Sequence, residues 1–196
     1  MQGVNIAALA MFNYFHYFRE LATPGIVCNK MNLVQDARRS KCIVFQVYET
    51  ALGSAPQSSS AIFKHAGILI VMDDIYYSID FGSASISNKN EYMSTSKISI
   101  SCFRQLPSTH KVLGTLCEFC IENNTDMGYA LAMLERVLAH HPKIYHPLTY
   151  NCYCFCRDIC RMFYTDTAKI VRAKLEKQIQ FYMDEGLELI VSFPDL

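Results

Sequence analysis

His65-Ala66-Gly67-Ile68-Leu69-Ile70-Val71, Met72-Asp73-Asp74 and Ile75-Tyr76-Tyr77-Ser78-Ile79-Asp80-Phe81 read in succession as strand, turn and strand. Both outer runs are rich in β-branched and aromatic residues, and a short acidic turn between two such runs is a hairpin signal. With Asp73-Asp74 as the turn, Gly67 faces Asp80 and His65 faces Gly82. Side chains alternate along a strand, so His65, Gly67, Leu69 and Val71 share a face with Tyr76, Ser78 and Asp80. Asp80 then lies diagonal to His65, within reach for its carboxylate to orient the imidazole. A slip of one residue would turn Asp80 to the opposite face, so the turn decides the site as well as the fold.

Working outward, Cys42–Tyr48 predicts another strand, 53–60 a loop and Ile98–Phe103 an alternating strand. Residues 26–40 are mixed, with Arg38-Arg39-Ser40 as a surface turn, and Ser83–Ser96 is a polar loop. Lys111–Asn123 and Met127–His140 carry apolar residues at helical spacing and predict helices. Asn151 followed by Cys152, Phe155, Cys156, Ile159, Met162 and Phe163 predicts a capped helix with one apolar face. Ala168–Glu185 predicts a last helix with the stripe Val171, Leu175, Ile179 and Tyr182. Gly186 is its expected cap, and Ile190, Val191 and Phe193 a short final strand or tail.

The 196 residues suffice for one domain with a real core, and 51% hydrophobic against 18% charged residues excludes a disordered chain. Net charge is zero and no basic run occurs, so nucleic acid is not an expected partner. Nine cysteines is an odd number, which argues against a secreted disulfide framework. Residues 1–18 lack Lys, Arg, Asp and Glu, but no basic segment precedes them and Gln2, Asn5, Asn13 and His16 interrupt them. Val4, Ala8, Met11, Phe15 and Phe18 instead recur at helical spacing, so 1–24 is expected to be an amphipathic helix ended by Thr23-Pro24-Gly25. It either packs on the protein or meets a membrane surface. The expectation is an intracellular protein of cytoplasm or nucleus with reduced thiols and no signal peptide.

The chemistry centres on Cys152. An asparagine cap leaves it at the first helical position, where unpaired N–H groups and the helix dipole favour a thiolate. The same N–H groups can donate to an oxyanion formed in acyl transfer. Cys154 should point away from the Cys152 face, and Cys154, Cys156, Cys160, Cys102, Cys42 and Cys28 are expected as packing residues. Gln46 and Tyr48 are candidates for a second oxyanion donor, with a core or surface role as the alternative. Cys117-Glu118-Phe119-Cys120 is a lone C-x2-C with no second pair to complete a zinc site, and His140, His141 and His146 read as a helix end and loop. No metal and no cofactor are therefore expected, and no phosphate-binding or nucleophile-elbow motif occurs.

Several of these segments line up with a known family. Ile43–Tyr48 with Glu49, His65-x-Gly67-Ile68, Tyr76-Tyr77, Phe81-Gly82-Ser83-x-x-Ile86 and Tyr150-Asn151-Cys152-x-x-Phe155 resemble the PPPDE family over roughly 41–165. These are permuted papain-fold thiol peptidases that include desumoylating isopeptidases, and the order His before Cys marks the permutation. The lecithin-retinol acyltransferase-like and NlpC-like families share that order. The chain departs from the family pattern in Cys154 and in a longer stretch between Ile98 and Cys152.

The resemblance implies an α+β, permuted papain-like fold with a small antiparallel sheet flanked by helices. Its thiol domain would span 41–165, with 166–196 as a C-terminal helix and tail packed on it. It implies Cys152 as nucleophile and His65 as base, acting on ubiquitin-like protein conjugates, and the hairpin register adds Asp80 as the expected orienter of His65. Two alternatives stay open. One is a lipid acyltransferase or phospholipase on the same pair, with residues 1–18 at the membrane. The other is a non-catalytic structural or interaction protein, cellular or virus-encoded, that keeps the fold.

Overall fold

The computed structural model describes residues 26–27, 29–51, 64–85, 94–142 and 150–192, with side chains over 29–50, 64–82, 98–142 and 150–184. It is an α+β protein with one antiparallel sheet. Its strands are β1 (Ile26–Val27), β2 (Cys42–Ala51), β3 (Lys64–Met72), β4 (Ile75–Ser85), β5 (Ser94–Phe103) and β6 (His110–Cys120). Their order is β1-β5-β4-β3-β2-β6, so the expected hairpin of β3 and β4 lies at the centre. Four helices accompany it among the described residues: α1 (Lys30–Ala37), α2 (Asn124–Leu138), α3 (Cys152–Cys160) and α4 (Asp166–Ser192).

Met72 pairs with Ile75 across the two-residue turn, and Ile68 with Ile79, which is the register read from the sequence. Asp73 takes the left-handed conformation the turn requires, with φ of 49°. Its carboxylate is held by the backbone N–H groups of Lys41 and Cys42, tying the turn to the start of β2. Ile43, Phe45 and Val47 of β2, Ala66, Ile68 and Ile70 of β3, and Tyr77, Ile79 and Phe81 of β4 form one buried face. Helices α2, α3 and α4 complete the core with Leu134, Phe155, Ile159 and Leu175.

Three expectations give way. Residues 111–120 form strand β6 on the free edge of β2, not a helix. The last helix begins at Asp166 and runs through Gly186 to Ser192, which leaves Gly186 no capping role and removes the strand expected at Ile190 and Val191. A glycine inside a helix costs only about 1 kcal/mol relative to alanine, so it need not end one. The expected loop 83–96 is shorter, since β4 reaches Ser85 and β5 begins at Ser94. Helix α1 was not foreseen; Asn29 caps it by accepting the N–H of Asn32 at 2.9 Å.

The C-terminal helix α4 packs on the same body. Thr165 donates to the carbonyl of Leu116 at 2.6 Å, Lys174 donates to that of Leu113 at 3.1 Å, and Gly114 makes room for Val171. Among the described residues no helix is long and apolar enough to cross a membrane. The expected helix of 1–24, residues 53–60 and His146 lie outside the described residues.

Candidate active site

His65 and Cys152 come from elements far apart in the chain, and a parting in the sheet brings them together. Strand β3 stays paired with β2 back to Lys64, and β4 stays paired with β5 out to Ser85. Between β3 and β4 the ladder ends at Ile68 and Ile79. His65, Gly67 and Asp80 lie beyond that point. The N-terminus of α3 arrives there, bringing Cys152 close enough for its side chain to act on the His65 imidazole. Both residues are buried.

Asp80 lies where the register predicts, with its Oδ1 2.8 Å from Nε2 of His65. The hydroxyl of Tyr48 donates to the same oxygen, and Ser78 donates to Oδ2 at 2.8 Å. Gly67 creates the space these groups share, because a Cβ there would come within 2.6 Å of Asp80 Oδ1. On the outer side Tyr48 stacks on His110, with ring centroids 4.4 Å apart. Burial pushes His110 below the ordinary histidine value, and the charge of His65 adds to this against the pull of Asp80.

The electrostatics of the pair follow from these contacts. Burial alone would lower His65, but the charge of Cys152, hydrogen bonding to Asp80 and Cys152, and the charge of Asp80 outweigh it. Together they push His65 up to about 10. Burial would likewise raise Asp80. The hydrogen bond and charge of His65, with the donors Tyr48 and Ser78, instead hold it below the usual carboxylate range.

Local sequence sets the position of the thiol. Asn151 caps α3 as expected, its side-chain oxygen accepting the N–H groups of Tyr153 at 3.0 Å and Cys154 at 3.2 Å. Phe155 stacks on Phe81 with centroids 5.3 Å apart, which seats the helix on the sheet. Tyr153 donates to buried Glu49 at 2.8 Å, and Lys64 reaches the other oxygen of Glu49 at 3.0 Å. The backbone N–H of Lys64 donates to Tyr182 of α4 at 2.9 Å, so four elements are tied together beside the pair.

Cys154 is a packing residue, as expected. It is buried, like Cys156 and Cys160, because α3 is covered by the sheet on one side and by α4 on the other. Cys42 and Cys102 are half-buried, and Cys28 lies outside the described side chains. Neither proposed second oxyanion donor stands idle: Gln46 donates to Thr115 at 3.2 Å and Tyr48 to Asp80. The Tyr48 bond, the His110 stack and the Glu49 network were missed from sequence. The pairing of β2 with β3 and β6 creates them, and no local signal announces it.

Comparison with protein-family models, curated proteins and solved structures found no match. What the site can do therefore rests on its own geometry.

Proposed function

We propose that the protein is a cysteine hydrolase of the permuted papain-like kind, cleaving amide or isopeptide bonds in conjugates of ubiquitin-like proteins. One observation carries this: His65 is bonded to Asp80 and lies close to Cys152, which stands at the Asn151-capped start of a helix. A carboxylate behind a histidine that faces a thiol is the arrangement of an activated nucleophile. The order of elements also fits, with the histidine on a central strand and the thiol on a later helix laid across the same sheet.

In this reading Asp80 fixes the imidazole and stabilises its charged form. Sγ of Cys152 attacks the carbonyl carbon, and the carbonyl electron pair moves onto oxygen, where the Cys152 N–H donates to it. His65 gives its proton to the leaving amine nitrogen as the carbon–nitrogen bond breaks. Water then attacks the thioester and loses a proton to His65 as the carbon–sulfur bond breaks, which restores the thiolate–imidazolium pair.

The test is capture by ubiquitin-like proteins bearing a C-terminal electrophile. The expected result is an adduct at Cys152 that vanishes in Cys152→Ser and falls at least about tenfold in His65→Ala. No adduct from any such protein, with turnover of phospholipid vesicles in its place, would move the substrate to lipids. Neither activity, with a Cys152 no more reactive than a free thiol, would leave a binding protein.

A further inference from the structure

We infer a second site: Cys42, Glu118 and Cys120 form a surface binding site for a thiophilic divalent cation of the zinc class. Cys42 opens β2 and is paired directly with Cys120, the last residue of β6. Glu118 lies two residues before Cys120 and so projects from the same face. The three ligand atoms all fall within 4.8 Å of one another, with Cys42 Sγ 3.8 Å from Glu118 Oε1.

Those separations match what a tetrahedral ion needs. Zinc–sulfur bonds of about 2.3 Å place two ligating sulfurs about 3.8 Å apart, and a carboxylate oxygen slightly closer. Small rotamer adjustments would close the set, and water completes the fourth position. Two thiolates with one carboxylate suit zinc or cobalt rather than magnesium or calcium. The cluster also sets the Glu118 carboxylate beside two thiols, with no cationic side chain in the group among the described residues.

The strand explains why the C-x2-C motif misleads. Residues three apart on a strand point to opposite faces, so Cys117 and Cys120 cannot chelate together. The ligand that completes the set comes from the neighbouring strand. A simple cross-strand disulfide would leave Glu118 without a role, whereas a metal uses all three groups. The site is independent of the thiol–histidine pair, since Cys42 and Thr50, the partner of His65, lie at opposite ends of β2. Bound metal would clip the edge strand β6 to the sheet.

The experiment uses the reduced, chelator-treated full chain, with zinc followed by equilibrium dialysis and cobalt by its thiolate charge-transfer absorption. Wild type is expected to bind one equivalent more than Cys120→Ser or Glu118→Ala, or to bind it at least about tenfold more tightly than either. Zinc should raise the melting temperature of wild type and of neither variant. Both positions are exposed, so the metal-free variants should melt with wild type. Binding that survives both substitutions would overturn the site. So would binding lost with Cys120 but indifferent to Glu118, which would reduce the cluster to a dithiol.

Discussion

A Cβ placed on Gly67 would come within 2.6 Å of both Asp80 Oδ1 and Tyr48 Cε1. Neither neighbour can simply swing away, because the carboxylate is held by His65, Tyr48 and Ser78. Gly67→Ala should therefore destabilise the fold by about 1–3 kcal/mol and push Asp80 off the imidazole. Urea denaturation reads the first effect, and the histidine proton resonances read the second. At this scale much of the site was legible. The acidic turn fixed the register that sets Asp80 diagonal to His65, and an asparagine before Cys152 announced the cap. Tyr48 was legible only as a candidate oxyanion donor, not as the partner of Asp80, and His110 not at all, since their roles depend on which strands become neighbours.

For the elements, α3 depends on Asn151, which satisfies two N–H groups of its first turn. Asn151→Ala should cost about 1 kcal/mol by thermal unfolding and loosen the Cys152 end of the helix. Asn151→Asp should keep most of that stability. Strand β6 shows why element type is harder to read than a cap. Val112, Leu113, Leu116, Cys117 and Cys120 fall at helical spacing. The β2–β6 ladder has register shifts between Phe45 and Gln46 and between Val47 and Tyr48, which leave Leu116 and Leu113 as extra residues on β6. Two bulges convert the two-residue alternation of a strand into an apparent helical stripe. Helix α1 was missed for a different reason: it is short and polar, and only Leu33 and Ala37 are buried.

Across the whole molecule, the sheet order β1-β5-β4-β3-β2-β6 could not be read from the chain, because pairing of β2 with β6 joins segments with the hairpin and β5 between them. That order nevertheless fixes how stability responds to pH. His65 is pushed from 6.5 up to about 10, so its contribution is complete below 6.5 and is lost as pH rises through about 10. Asp80 is held below 3.8, so its contribution is present above 3.8 and fades as pH falls through its lower folded value. Wild type should thus lose more melting temperature than His65→Ala between neutral pH and about pH 10, measured by circular dichroism. The most direct test of the central claim is the alkylation rate of Cys152 with a small electrophile at about pH 7, in wild type and in His65→Ala. His65 acting as base on the thiol predicts a rate at least about tenfold faster in wild type than in His65→Ala. A wild-type rate unchanged by His65→Ala would contradict it.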